Sequence, residues 1–153
     1  MTSFTRIVVP TDFSETAHQA FASAIALAKE SQAELHICHA IEYVAPMVSP
    51  YEIPIPEDFI EQTRAAAEAR LCEVVEEGRS AGVICEGHLL SDRADPGISL
   101  LAESLHADLI VMGTGASGRL RHMLLGSVVE RTVRHAPCSV LTVKPPCEDH
   151  QAN

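Results

Sequence analysis

The sequence predicts a single α/β domain built on an open, mainly parallel five-stranded sheet with helices on both faces. Five short strand-like runs alternate with four helical segments along the 153 residues, the order typical of a parallel sheet. Hydrophobic residues make up 46% of the chain and aromatic residues only 4%, which suits a core of close-packed aliphatic side chains. We expect one domain over residues 1–145, followed by a loose polar tail over 146–153.

The first half of the chain predicts two strands, two helices and a long loop. Arg6–Val9 is a β-branched run, and the helix after it has Ser14 as its predicted N-cap. Glu34–Ile41 reads as the second strand. Four prolines in Glu42–Asp58 forbid a regular helix there, so we expect a surface loop, either a functional lid or interface or a variable connector. A long amphipathic helix is predicted from Phe59 to Ala81.

The second half continues the alternation. Gly82–Leu90 is the third predicted strand, and a helix is expected to begin near Asp95, with proline at an early helical position. The fourth strand, Asp108–Gly113, is strongly apolar and therefore predicted to be central and covered on both faces. A last helix over Leu124–Ala136 and a fifth strand over Cys138–Val143 complete the domain. In such sheets ligands bind beyond the carboxyl ends of the strands.

The charge distribution favours a small anionic ligand over nucleic acid or membrane. The formal net charge is −10, and such a surface repels DNA, RNA and anionic lipid. Residues 113–135, however, hold four arginines against Glu130 alone, a local charge of +3 that leaves −13 on the rest of the chain. Either an anion site or a helix with solvated arginines fits this local excess.

The cysteines and the chain's termini predict a cytoplasmic protein. The five cysteines show no metal-ligand spacing, and Cys38, Cys85 and Cys138 lie in apolar runs typical of small buried side chains. Reduced thiols indicate a cytosolic compartment. The amino-terminal residues show no signal peptide, and no apolar stretch is long enough to span a bilayer.

Two phosphate-binding signatures fit the glycine-containing loop poorly. Gly113, Gly115 and Gly118 match G-x-G-x-x-G, but that fingerprint belongs to the first βα turn, with an acidic residue about twenty positions on at the end of the next strand. The same segment matches a P-loop only in its glycine spacing. Arg119 and Leu120 stand where the lysine and the magnesium-binding hydroxyl are required.

A third interpretation uses both ends of the segment. Gly113 ends the fourth strand and lets the backbone approach a ligand closely. Gly126 and Ser127 follow thirteen residues later, just before the last helix. Ser127 is the predicted N-cap of that helix, and the unpaired amides of the first helical turn are donors suited to an anion. A phosphate chain is expected to lie between this loop and the helix N-terminus.

These residues resemble a known family. The pattern G-x2-G-x9-G-[ST] of ATP-binding universal stress proteins reads here as Gly113, Ala116, Gly126 and Ser127. The opening RIVVPTDFSETAHQAF, the segment ADLIVMG and the closing VVERTVRHAPCSVLTV are also similar to that family, so that the resemblance covers roughly residues 5–144. It implies a Rossmann-like, flavodoxin-like doubly wound fold with strand order 3-2-1-4-5.

The resemblance also implies a nucleotide site. Asp12 would contact the ribose or adenine end, the backbone at Ala40 would recognise the adenine edge, and Gly126–Val128 would hold the phosphates. The implied site residues are Pro10, Thr11, Asp12, Ala40, Met112, Gly113, Ala116, Ser117, Gly118, Arg119, Gly126, Ser127 and Val128. Ordinary structural roles stay open, because Asp12 could cap the first helix and Met112 could belong to the core.

The sequence departs from the family pattern at Ala116. An alanine adds a methyl group and disfavours positive φ, which would weaken a phosphate site against that backbone. Gly115 and Gly118 on either side supply flexibility, and Ser117–Arg119 offers a hydroxyl, an amide and a guanidinium to phosphate oxygens. ATP binding is therefore the expectation, with any Mg²⁺ or Mn²⁺ carried by the triphosphate itself.

Three functions remain open on these residues. The first is an ATP-binding stress-response regulator that acts through an unknown protein partner and forms a homodimer through its last strand, Ser139–Val143. The second is a slow ATPase in which Arg119 or Arg121 supplies charge, although no base is evident and at most weak hydrolysis is expected. The third is a nucleotide-free protein working by protein contacts alone. No histidine pair has metal-ligand spacing, and His39 and His122 are assigned structural or solvated roles.

Overall fold

Strands and helices alternate along the chain as the sequence predicts. The computed structural model describes residues 3–41, 56–91, 93–115 and 125–146. Within these residues the elements are β1 (Arg6–Pro10), α1 (Glu15–Ser31), β2 (Glu34–Ala40), α2 (Glu57–Ser80), β3 (Cys85–Leu90), α3 (Ala94–Ser104), β4 (Leu109–Gly113), α4 (Ser127–His135) and β5 (Ser139–Val143).

The five strands form one sheet in the order β3-β2-β1-β4-β5, and every neighbouring pair is parallel. The predicted fold and strand order are therefore confirmed. The chain first builds outward from β1 to β2 and β3, and then crosses back to place β4 on the other side of β1. Consecutive crossovers leave the sheet on opposite faces at this point, so that a crevice opens at the carboxyl ends of β1 and β4.

Two separate cores cover the two faces of the sheet. Helices α1 and α2 pack on one face, where Phe21 is only 1% exposed and contacts the cluster that contains Ile7, Leu35 and Val111. Helices α3 and α4 pack on the other face, around a cluster that includes Ile110. Because strand residues alternate between faces, the apolar runs of the central strands supply both cores.

The central strand β1 is joined to a strand from the far end of the chain. Its register places Ile7 beside Leu109 and Val8 beside Ile110. At the amino edge of this pair the Asp108 carboxylate accepts hydrogen bonds from the Thr5 amide and the Thr5 hydroxyl, both at 2.8 Å. The two halves of the domain therefore meet along β1 and β4.

Several predicted boundaries were wrong by one to three residues; α4 begins at Ser127 instead of Leu124, for example. Two of these shifts have a clear local reason. Helix α2 begins at Glu57 instead of Phe59, because two acidic residues in its first turn are favourable at the positive end of the helix dipole. Strand β3 begins at Cys85 instead of Gly82. Gly82 has φ +89° and its amide donates to the Arg79 carbonyl, so it turns the chain out of α2 before the strand starts.

Other predictions concern parts of the chain that the structure describes only partly. Within the described residues, no helix is long and apolar enough to cross a membrane. Most of the predicted proline-rich loop, residues 42–55, lies outside the described residues, and so does most of the predicted tail, residues 147–153. The roles of that loop and that tail stay predictions.

Candidate functional site

A cavity of about 340 Å³ opens at the carboxyl ends of β1 and β4. This volume is within the usual range for small-molecule sites. The cavity is lined by seven of the residues predicted for the nucleotide site, namely Pro10, Thr11, Asp12, Ala40, Met112, Gly113 and Val128. Their positions in the sequence are far apart, and the parallel sheet brings them together by ending three of its strands at one edge.

Three helices begin at the rim of this cavity. Its lining includes Ser14 at the start of α1, Ala94 at the start of α3, and Val128 in the first turn of α4. The amino end of a helix carries a partial positive charge and unpaired amide donors. Three such ends around one cavity favour a ligand with negative charge.

The N-cap of α4 is Gly126, and the prediction that Ser127 caps this helix was wrong. Gly126 has extended backbone angles, φ −62° and ψ 158°, and no side-chain cap bond is present among the described residues. Ser127 is already the first helical residue, because the Gly126 amide donates to the Thr114 carbonyl at 2.8 Å and so sets the point where the chain enters the helix. The first turn of α4 thus keeps its amides for another acceptor.

The glycines of this region allow close packing of backbone on backbone. A Cβ on Gly113 would lie 2.9 Å from the Thr16 carbonyl oxygen, so this glycine is needed for the approach of α1. A Cβ on Gly126 would lie 3.1 Å from the carbonyl carbon of Gly115, and Gly115 itself has φ +69°. Both ends of the loop that connects β4 to α4 therefore meet beside the cavity.

The wall after β1 is held by side-chain hydrogen bonds. The Asp12 carboxylate accepts from the Ser14 amide at 3.0 Å, and the Ser14 hydroxyl accepts from the Ala17 amide as the predicted N-cap. Ser14 therefore caps α1, and the interpretation of Asp12 as the cap was wrong. Asp12 stabilises the turn before the helix and also lines the cavity. His39 Nδ1 lies 2.8 Å from the Thr11 carbonyl oxygen, which can only accept, so Nδ1 carries the proton.

Phe13 and Arg70 lie behind this wall, on the side of His39, and were missed in the sequence. Phe13 has φ +63°, an uncommon backbone conformation for a bulky residue. Its ring lies 4.4 Å from the His39 ring, and the Arg70 guanidinium lies 4.3 Å from the Phe13 centroid. A stacked His-Phe-Arg column therefore stands beside the cavity. No local pattern reveals it, because Arg70 comes from α2, far along the chain.

The floor of the cavity is apolar and uncharged. Met112 is 4% exposed and belongs to the core under α3 and α4 while also facing the cavity. Burial raises the pKa of the Cys38 thiol to about 12, so this thiol is protonated at neutral pH and is a weak nucleophile. Cys38 and Met112 thus offer an apolar surface to a flat ring.

Part of the predicted phosphate segment cannot be placed. Ala116, Ser117, Gly118 and Arg119 lie outside the described residues, so their roles stay predictions. Of the other arginines in the basic segment, Arg131 is 3.7 Å from the Asp95 carboxylate. Arg134 is 3.3 Å from the Glu130 carboxylate on its own helix, so both guanidinium groups have an acidic neighbour.

Comparison with known proteins agrees with this fold. A sequence profile described as the universal stress protein family matches residues 3–144. The chain belongs to the universal stress protein family. A universal stress protein of Methanocaldococcus jannaschii is 35% identical over 143 residues, which cover 94% of this chain and 84% of the relative.

Solved structures place this universal stress protein among proteins of the same architecture. The protein MJ0577 superposes with a TM-score of 0.80 at 26% identity. The match covers 96% of this chain and 100% of MJ0577. A universal stress protein solved in complex with cAMP superposes with a TM-score of 0.70 at 26% identity, over 93% of this chain and 98% of the other.

Proposed function

We propose that this universal stress protein binds ATP in the cavity between β1 and β4 and acts as a nucleotide-dependent regulator in the stress response. The observation that carries the proposal is the contact between Gly115 and Gly126 beside the uncapped first turn of α4. The amides of that turn are donors for phosphate, next to a cavity of a size suited to a nucleoside. The related protein solved with cAMP supports an adenine nucleotide as the ligand.

The adenine and ribose would occupy the side of the cavity formed by β1 and β2. Ala40 ends β2, and its backbone offers hydrogen bonds at the strand terminus with only a methyl group as its side chain. Cys38 and Met112 supply an apolar floor. Asp12, already held by Ser14, presents a carboxylate that suits ribose hydroxyls.

The triphosphate would run toward α4. Val128 reaches the cavity from the first helical turn, so the amides around it face the space where the phosphates would lie. We propose that the phosphates are also contacted by Ser117, Gly118 and Arg119, and that Mg²⁺ or Mn²⁺ would enter with the nucleotide. In this arrangement the ligand bridges the two halves of the domain, which is what a switch requires.

The nucleotide carried by the purified protein tests this proposal. We expect near-stoichiometric ATP when protein prepared without added nucleotide is denatured and its supernatant is separated by anion exchange against ATP, ADP and AMP standards. Mostly ADP would favour the slow ATPase, because it would show that bound ATP is hydrolysed although no base is evident among the described residues at the phosphate end. The absence of nucleotide, together with no heat of binding on titration with Mg-ATP, would refute the proposal and favour a protein that works by contacts alone.

We also propose a homodimer formed through β5. This strand lies at an edge of the sheet, where unpaired backbone groups are available to a second strand. Leu141 on β5 is 40% exposed on the face that α1 covers, and Val133 on α4 is 48% exposed on the other face, so exposed apolar side chains flank the open edge on both faces. A second copy of the chain would cover both.

A charged residue in this surface is expected to separate the dimer. Leu141→Lys places an ammonium group at the proposed interface, so sedimentation velocity should show a dimer for the wild type and a monomer for the variant. Leu100→Lys is the matched control, because Leu100 is 61% exposed on α3 and should leave the dimer intact. A wild-type monomer, or a dimer that survives Leu141→Lys, would exclude this interface.

A further inference from the structure

A cluster of potential metal ligands lies on β2 and β3, away from the cavity. The parallel register places His36 beside Glu86 and Cys38 beside His88. Residues two apart on a strand share a face of the sheet, so His36, Glu86 and His88 lie on one face. None of these three residues lines the nucleotide cavity. His36 precedes Ala40 by four residues, about 13 Å along the strand at ~3.3 Å per residue.

The three side chains converge on one point. His36 Nδ1 lies 3.0 Å from His88 Nε2 and 3.9 Å from a Glu86 carboxylate oxygen. One ligand atom from each of the three residues lies within 4.8 Å of the others. His36 is 5% exposed, whereas the Glu86 side chain is 66% exposed. The cluster is therefore buried at the His36 end and open to solvent at the Glu86 end.

The buried histidine leaves one nitrogen without a hydrogen bond. Among the described residues, His36 Nε2 is buried and has no hydrogen-bond partner. A Glu34 carboxylate oxygen lies 3.6 Å from this nitrogen, which is beyond hydrogen-bond distance. Buried polar atoms are nearly always satisfied, so we expect Nε2 to gain a partner, and the Glu34 carboxylate is within reach.

A bound cation accounts for the convergence of the three side chains, and Glu34 accounts for the unpaired nitrogen. If His36 Nε2 carries the proton and faces Glu34, Nδ1 presents a lone pair toward His88 and Glu86. A carboxylate behind the distal nitrogen is the usual outer partner of a metal-binding histidine. The Glu34 side chain is 46% exposed, so it can move a few tenths of an ångström to complete that hydrogen bond.

The donor set selects the class of metal. Two imidazole nitrogens and one carboxylate suit Zn²⁺ and similar transition metals, whereas Mg²⁺ and Ca²⁺ prefer oxygen ligands. Tetrahedral Zn²⁺ with bonds of about 2.0–2.1 Å separates its ligand nitrogens by about 3.3 Å. The 3.0 Å contact between His36 and His88 therefore needs to open by only a few tenths of an ångström, and water would occupy the fourth position.

We propose that His36, Glu86 and His88 form a Zn²⁺ site that clips the edge strand β3 to β2. Glu34 acts as a positioning residue that orients His36. The site is independent of nucleotide binding, because it uses other side chains on another part of the sheet. A metal bound only by the folded state stabilises it, so Zn²⁺ is expected to raise the melting temperature of the protein.

Titration of the full chain with ZnCl₂ tests the site. We expect saturable binding of one Zn²⁺ by calorimetry, with the affinity lowered at least 100-fold by His88→Gln and about tenfold by Glu34→Gln, since outer partners contribute about 10–100-fold. Both positions are at least partly solvent-accessible, so neither change depends on rebuilding the core. Co²⁺ should give the strong visible absorption of a four-coordinate site in the wild type, and His88→Gln should lose it.

Two controls make the result specific. His18→Gln removes a surface histidine that also lies near a carboxylate, 3.5 Å from Glu77, but does not belong to the cluster of His36, Glu86 and His88. This variant should therefore leave the Zn²⁺ affinity unchanged. Repeating the titration in Gly126→Asp, which is designed to remove nucleotide, should preserve Zn²⁺ binding. No binding by the wild type, or equal affinity in wild type and His88→Gln, would overturn the proposal.

Discussion

Gly126→Asp is expected to abolish nucleotide binding while leaving the fold intact. The added Cβ would lie 3.1 Å from the Gly115 backbone, where little space remains. The new carboxylate would enter the region proposed for phosphate, and two negative charges about 4 Å apart repel by about 4 kcal/mol at an effective dielectric of 20. A loss of at least about 100-fold in ATP affinity should follow, measured by calorimetry with Mg-ATP.

Two further variants separate the causes of that loss. Gly126→Ala adds the methyl group without charge, so its affinity should fall between those of the wild type and Gly126→Asp. Ser3→Asp adds the same carboxylate at an exposed position before β1, at the opposite edge of the sheet, and should bind ATP normally. If Gly126→Asp binds ATP as tightly as the wild type, the phosphates do not lie at the start of α4.

Phe21→Ala is expected to give the largest loss of stability. Phe21 is 1% exposed and is the largest of the fully buried side chains, packed between α1 and the sheet with Gly78 of α2 close to its ring. Truncating a buried phenylalanine to alanine costs about 3–5 kcal/mol, because the cavity that remains cannot fully close. Guanidinium unfolding followed by circular dichroism measures the change in the free energy of unfolding.

Phe59→Ala is the matched control for this substitution. Phe59 lies in the first turn of α2 and is 53% exposed, so its truncation should alter the free energy of unfolding by no more than about 0.5 kcal/mol. Equal losses in both variants would mean that the two phenylalanines do not differ in burial as described. A small loss at Phe21 alone would mean that the α1 core can collapse around the missing ring.

The alternation of strands and helices could be predicted from the sequence, because it depends on local patterns of residues. β-branched runs and helical periodicity predicted all nine elements, and Ser14 was correctly predicted as a cap because its hydroxyl acts within its own turn. The rule that ligands bind beyond the carboxyl ends of parallel strands predicted where the site lies. The family resemblance predicted Asp12, Ala40 and Gly113 as site residues, and all three line the cavity.

Features that depend on contacts between distant segments of the chain could not be predicted from the sequence. Serine is a better N-cap than glycine by propensity, yet Gly126 caps α4 because its amide is held by Thr114. Gly113 was interpreted as making room for a ligand, whereas its missing side chain makes room for the backbone of Thr16. The spacing of His36 and His88 in the sequence did not indicate a metal site, since only the register of β2 against β3 brings their rings together.

The pairing of β1 with β4 has a consequence for synthesis of the chain on the ribosome. Thr5 and Asp108, which join the two strands, are 103 positions apart. At about 5–20 residues per second, roughly 5–20 s pass between the translation of one and of the other. During that interval β1 can pair with β2, but its other edge stays open and Val8 lacks the cover of α3 and α4. The nascent half-sheet is therefore a natural target for chaperones that bind exposed strands, and slower translation of the second half lengthens that exposure.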